Sequence, residues 1–204
     1  MEQFAVLGIE RHRMKTDGRG ITTLVAVAGC PLSCRYCLNK EMLKQRKPEM
    51  LSSEELIERL AIDHCYFLYT NGGVTFGGGE ALLHNAQILD FSKKCPTEWN
   101  ITIETSLNVP WELLAPLLTE RFSFIIDVKA MQQEIYREYT GFKNDQVIEN
   151  LKRLVKQLNP EQYVIKIPLI PEYSDMSEAM ESKKFLREMG IPEENLVMFR
   201  YQKC

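Results

Sequence analysis

Six short runs of β-forming residues, each separated from the next by a helical pattern, constrain this 204-residue chain more than anything else in it. Ile21 to Ala28, Val74 to Phe76, Ile101 to Thr105, Phe124 to Val128, Val164 to Ile170 and Leu196 to Tyr201 read as strands. Among the helical patterns, one opens on Ser52-Ser53-Glu54-Glu55, a capping box that leads into Leu56, Ile57 and Leu60. Another sets Val147, Ile148, Leu151, Leu154, Val155 and Leu158 on one face at 3.6-residue spacing. Strands separated regularly by helices pair in parallel through right-handed crossovers, so the fold class is α/β. Six units of about 30 residues nearly exhaust the chain, whereas a closed eight-fold barrel takes about 250. The expected architecture is an incomplete (β/α)6, TIM-like barrel, with a flavodoxin-like doubly wound sheet as the alternative. With no long linker, low-complexity segment or repeat, residues 1–204 read as one domain.

In sheets of this kind the chemistry collects at the C-terminal ends of the strands. The polar residues obey that rule. The loop Gly29-Cys30-Pro31-Leu32-Ser33-Cys34-Arg35-Tyr36-Cys37 follows the first run, and Gly77-Gly78-Gly79-Glu80 follows the second. Glu104 and Thr105 close the third, Asp127 and Lys129 end the fourth, Lys166 lies within the fifth, and Gln202 follows the sixth.

Cys30, Cys34 and Cys37, at C-x3-C-x2-C spacing, can hold three irons of a cubane and leave the fourth without a protein ligand. Structural zinc asks for four ligands, and the spare candidates His12, His64 and Cys65 lie far along the chain without a matching pair spacing. An open iron calls for a chelating partner such as the amine and carboxylate of S-adenosylmethionine (SAM), whose sulfonium then lies where an electron can cleave a carbon-sulfur bond. That radical chemistry belongs to the cofactors, and the protein's task is to position them and exclude water.

The other rim residues each have a binding reading beside a plainer one. The three glycines either bring backbone against a ligand or form a tight turn, and Glu80 adds a carboxylate next to them. Asp127 and Lys129, two residues apart on one strand face, form either an ion pair or a ligand site. Glu104 with Thr105 binds an amine or a small cation, or else Thr105 caps a helix. Lys166 meets a cofactor carboxylate or hydroxyl, or snorkels from its strand end.

A formal net charge of -3 with interspersed signs argues against nucleic acid as a partner. The basic stretch Lys40 to Lys47 reads as a solvated helix face or a docking patch. Neither a leader nor an apolar run of about 20 residues is visible, so a cytoplasmic, membrane-free protein is expected. Its six cysteines then stay reduced, with Cys65 and Cys95 in ordinary packing.

The cysteine triplet, with Tyr36 before its last member, resembles the signature of the radical SAM superfamily. Val74-Thr75-Phe76-Gly77-Gly78-Gly79-Glu80-Ala81-Leu82-Leu83, the loop Asp17-Gly18-Arg19-Gly20, Ile126-Asp127-Val128-Lys129 and Ile170-Pro171-Glu172-Tyr173-Ser174-Asp175 are similar to segments of its glycyl-radical-enzyme activating enzymes. The resemblance implies that Cys30, Cys34 and Cys37 ligate a [4Fe-4S] cluster and that Tyr36 lies against adenine. It implies that Gly77, Gly78, Gly79 and Glu80 receive the methionine amine. Glu104, Thr105 and Asp127 would surround a monovalent cation, Lys129, Lys166 and Gln202 would contact SAM, and Asp17 would face a substrate peptide. A glycyl radical enzyme as partner and a flavodoxin or ferredoxin as electron donor follow from the same resemblance. Arg19, Thr22, Leu38 and Gln202 depart from the family pattern. Modification of another peptide or of a small molecule is the rival activity, and a non-catalytic iron-sulfur or zinc module is the rival class.

Overall fold

The computed structural model describes residues 3–14 and 17–200. Eight strands form one sheet: β1 (Phe4–Met14), β2 (Ile21–Val27), β3 (Glu49–Leu51), β4 (Gly73–Gly78), β5 (Asn100–Thr105), β6 (Phe122–Asp127), β7 (Tyr163–Leu169) and β8 (Leu196–Arg200). Their order is β3-β1-β2-β4-β5-β6-β7-β8. From β2 to β8 every pair is parallel and each new strand adds on the same side of the last. A doubly wound sheet reverses direction at a switch point, and this one does not. The sheet is therefore wound one way, as in a barrel, and its ends β3 and β8 are not neighbours.

Each of the six runs read from the sequence coincides with a strand, to within a few residues at its ends; Tyr201, read as the end of the sixth, lies outside the described residues. The antiparallel pair β1 and β3 at one edge was not anticipated. Register shifts break β1 between Val6 and Gly8 and again between Glu10 and Arg13, where His12 takes a left-handed φ of 56°. A strand interrupted in this way loses the clean alternation that a sequence pattern relies on.

The connections carry α1 (Lys40–Gln45), α2 (Ser53–Leu60), α3 (His64–Thr70), α4 (Asn85–Lys94), α5 (Trp111–Leu114), α6 (Gln133–Thr140), α7 (Asp145–Leu154) and α8 (Met176–Glu188). The capping box of α2 is present: Glu55 N donates to Ser52 Oγ at 3.2 Å, and Ser52 N donates to Glu55 Oε2 at 2.8 Å. In α7 the periodic residues Val147, Leu151 and Leu154 are buried. Cys95 packs in the core as expected, but Cys65 is exposed, because its position on α3 faces away from buried Phe67.

Strand register divides the sheet into two unlike faces. In-register neighbours share a face, so Val25, Phe76, Ile103, Phe124, Ile126, Ile165 and Ile167 all turn to the helix-covered side, where they are buried. Phe76 stacks on Phe4 of β1 at 5.3 Å and meets Phe91 of α4 edge-on at 5.2 Å. Burying each such ring is worth about 1.5–3 kcal/mol. The opposite face carries Thr75, Gly77, Thr102, Glu104, Asp127 and Lys166, and there the polar residues accumulate.

Candidate functional site

The cysteine loop leaves β2 at the C-terminal edge of the sheet and is held in its middle by the end of α6. Ser33 N donates to Thr140 O at 3.1 Å, Arg35 N to Tyr139 O at 3.0 Å, and Arg35 Nε to Glu138 O at 3.2 Å. The last carbonyls of a helix have no intrahelical donor, so the loop satisfies groups that α6 leaves open. Burial pushes the Cys34 thiol up to about 11, against the pull of Lys129, and the neighbouring Cys30 and Cys37 raise it further. Cys30 is also raised, by burial first and by Glu80 and Cys37 beyond that. Cys30 and Cys34 thus each feel a neighbouring thiol. Among the described residues, no three His, Cys, Asp or Glu side chains are grouped tightly enough to share a single metal ion. A cubane spreads its thiolates over separate irons, so the donor set fits a cluster without converging on one point. Thiols raised in this way release their protons when iron binds, because the ligand is the thiolate.

The glycine strip is shaped by protein contact. A Cβ on Gly79 would lie 2.2 Å from Gly29 O and 2.7 Å from Val27 O, and one on Gly78, whose φ is +84°, would lie 2.8 Å from Ala26 Cβ. Only glycine lets β4 come this close to β2 and the cysteine loop. Glu80 is 2% exposed, and its carboxylate accepts from Thr105 Oγ1 at 2.6 Å, Ser106 Oγ at 2.7 Å, Ser106 N at 3.0 Å and Leu82 N at 3.3 Å. Burial still raises its pKa despite these donors. Thr105 points to the helix-covered face, away from Glu104, and it also accepts from Leu107 N at 2.9 Å.

On the open face, acids and bases from four strands and two loops meet. Lys166 Nζ lies 3.7 Å from Glu104 Oε1. Arg13 Nε lies 2.5 Å from Asp17 Oδ2, and Asp17, 5% exposed, also receives the Thr75 hydroxyl on its carbonyl. Lys129 Nζ donates to Asp127 Oδ2, while Asp127 Oδ1 is buried and has no partner among the described residues. Glu104 is raised by burial above all, lowered by Lys166, and raised by Asp127 and Asp17. Its side chain is 30% exposed, but towards the hollow of the sheet, which is why burial still dominates. An orphaned carboxylate oxygen beside the cysteine loop, together with ammonium groups, suits a zwitterionic ligand.

Aromatic rings wall the mouth. Tyr36 meets Tyr173 edge-on at 6.0 Å, and Tyr173 meets Tyr139 of α6 at 5.5 Å. Cys30, Cys34, Tyr36, the glycines, Glu104, Asp127, Lys129 and Lys166 thus gather at one end and one face of the sheet; Asp17 shares that face but stands on the hairpin between β1 and β2, at the end where β2 begins, and the side chains of Glu80 and Thr105 are spent inside the fold. Gln202 lies outside the described residues. Sequence reasoning missed Ser106, Asn108 and Arg13, and it gave Tyr173, quoted within a segment similar to the family's, no role of its own. Asn108 Nδ2 donates to Tyr136 Oη at 2.9 Å and to Lys143 O at 3.1 Å, tying the β5 loop to α6. Nothing in local spacing announces such contacts between distant loops.

A singly wound parallel sheet with a three-cysteine loop at its C-terminal edge defines a radical-type iron-sulfur enzyme core. Residues 24–195 match the model of the Radical SAM superfamily, and the chain belongs to that superfamily. Its members use a [4Fe-4S] cluster and SAM. The chain is 34% identical to the (2S)-3-sulfopropanediol dehydratase activating enzyme of Klebsiella oxytoca, over 69% of this chain and 44% of that one. It is 29% identical to the 4-hydroxyphenylacetate decarboxylase activating enzyme of Clostridioides difficile strain 630, over 90% of this chain and 78% of that one. The chain therefore spans less than half of the first relative's length. The crystal structure of Streptococcus suis SuiB bound to S-adenosylmethionine shares the fold, with a TM-score of 0.66 at 15% identity over 86% of this chain and 39% of that one. No helix among the described residues is long and apolar enough to cross a membrane.

Proposed function

We propose that this chain is an activating enzyme that removes a hydrogen atom from a glycine Cα of a partner glycyl radical enzyme. The observation that carries the reading is the assembly of the cysteine loop, the polar open face and the aromatic mouth at one end of a sheet whose edges do not meet. Similarity to two activating enzymes supports the partner class. An unclosed sheet leaves a lateral gap through which a peptide loop can reach the site.

In this reading Cys30, Cys34 and Cys37 hold the cluster, and bound SAM supplies a hydrogen-abstracting radical when its sulfonium is reductively cleaved. The chain's own residues do the positioning. Lys129 and Lys166 offer positive charge to the SAM carboxylate, and the free Oδ1 of Asp127 accepts from an amine or meets a small cation. Tyr36, steadied by Tyr173, provides a flat wall for adenine. Burial around Glu104 and Lys129 keeps water away from the reactive centre. Asp17 anchors the loop that faces the peptide. A low-potential flavodoxin or ferredoxin delivers the electron, and the protein works in the cytoplasm.

To test this, the chain is reconstituted anaerobically with iron and sulfide, reduced with dithionite and given SAM. Release of 5'-deoxyadenosine is expected, and a glycine-centred radical should be seen by electron paramagnetic resonance once the partner enzyme is added. Ample 5'-deoxyadenosine with a mass change on a different peptide, and no glycine radical on any candidate partner, would transfer the chain to the peptide-modifying class.

A further inference from the structure

The cysteine loop is fastened at both ends to the segment that runs from the glycines to His84. At its start, His84 Nε2 lies 2.9 Å from Ala28 O, two residues before Cys30. A carbonyl only accepts, so Nε2 carries the proton and donates it. The next carbonyl, Gly29 O, receives Glu80 N at 2.8 Å. At the far end Asn39, two residues after Cys37, donates Nδ2 to Gly78 O at 2.8 Å. All three ties land between Gly78 and His84.

His84 is the informative member. It is 8% exposed, its ring lies nearly parallel to Phe4 with centroids 6.3 Å apart, and its Nδ1 is buried without a partner among the described residues. A leucine or methionine would pack against Phe4 without leaving a nitrogen unsatisfied, and an unsatisfied buried acceptor is destabilising. What the imidazole adds is the donor to Ala28. We infer that His84 and Asn39 are positioning residues: they fix the two ends of the cysteine loop so that Cys30 and Cys37 are held in place before the cluster binds. Neither side chain is a ligand; each acts through the backbone next to one. Outer-shell groups of this kind govern how firmly a metal site holds its metal.

The inference rests on the reading that Cys30, Cys34 and Cys37 ligate the cluster. The experiment compares anaerobically reconstituted wild type with His84→Leu, Asn39→Ala, His84→Gln and Ile191→Val, the last a mild core change far from the loop. Iron release to a ferrous chelator is timed, and each apoprotein's thermal midpoint is recorded. His84→Leu and Asn39→Ala should each release iron about threefold to tenfold faster than wild type, the effect of losing one tie. His84→Gln, whose Nε2 can reach the same carbonyl, should stay within about twofold of wild type, and so should Ile191→Val. Wild-type release rates in His84→Leu and Asn39→Ala would overturn the inference, as would His84→Gln behaving like His84→Leu or release that simply tracks thermal midpoint across all variants. If His84→Leu does not fold, His84→Gln and Asn39→Ala decide alone: slow release in the first and fast in the second support the ties, and any other pattern removes them. Wild type that takes up no iron-sulfur cluster sinks the ligand reading itself, an outcome separate from all of these.

Discussion

Two side chains in this site, Cys34 and Glu80, show how differently a residue can depend on its surroundings. Cys34 is raised to about 11 by burial, and the loop around it is held by backbone bonds that do not involve its sulfur. Cys34→Ala should therefore keep the fold, within about 1 kcal/mol of wild type. Two thiols remain, and iron content and 5'-deoxyadenosine formation should fall to background. Iron analysis after anaerobic reconstitution checks this, and full iron in the variant would show that the ligand set is wrong. Glu80 is the reverse case. Four donors converge on its buried carboxylate, so Glu80→Ala strands the Thr105 and Ser106 hydroxyls and should cost about 1–3 kcal/mol in denaturant unfolding of the apoprotein. Glu80 was legible as a site residue because it follows three glycines at a strand end. Its service to the β5 loop was not, since that depends on Ser106, 26 positions away.

Elements were legible to the degree that their patterns were local. Alternating runs marked β2 and β4 through β8, and 3.6-residue spacing marked α7, because each buries one regular face. β1 escaped because its two register shifts scramble the alternation, and three-residue β3 was too short to declare itself. Turns were less legible still. Between β7 and α8, Ile170 N bonds Ser174 O at 3.0 Å, and the turn forces Glu172, an exposed residue, to a φ of 70°. A left-handed conformation costs a non-glycine residue about 1–2 kcal/mol, and glycine gives back part of the gain through unfolded-chain entropy. Glu172→Gly should accordingly stabilise the apoprotein by roughly 0.5–1 kcal/mol, measured by urea unfolding. A loss of stability instead would mean that the Glu172 side chain makes a compensating contact. The same turn carries Tyr173 against Tyr36 and Tyr139, so Tyr173→Ala should weaken SAM binding, read by calorimetry on the reconstituted protein, without altering iron content.

At the scale of the whole molecule, the open face is an electrostatic assembly that only the completed sheet creates. Arg13 with Asp17, Lys166 with Glu104, and Lys129 with Asp127 come from β1, the loop after it, β5, β6, β7 and the segment after β6. The sequence could name Asp17, Glu104, Asp127, Lys129 and Lys166, because each stands in or next to a recognisable strand or loop. It could not pair Glu104 with Lys166, which lie 62 positions apart in the chain and meet across the intervening strand β6. That pairing has a measurable consequence in pH. Burial raises Glu104 above its unfolded value and Lys166 opposes the rise. A carboxyl whose folded pKa exceeds its unfolded one favours the folded state most at pH below the unfolded value, about 4.3, and that advantage is lost as pH climbs through the folded pKa. Lys166→Met removes the opposing charge and widens the gap between the two values. Near pH 4.5 the deficit of the variant should be smallest, since the raised pKa of Glu104 favours its protonated form in the folded chain as pH falls. By pH 8 it should be weaker by about 1–2 kcal/mol, less than for a fully buried broken pair because the Glu104 side chain keeps some access to the hollow. Adding Glu104→Gln to Lys166→Met should flatten the difference across the whole range. Thermal unfolding of the three apoproteins from pH 4.5 to 8 tests this directly, and a Lys166→Met deficit that does not grow with pH would mean that Glu104 is already neutralised by another group on the open face.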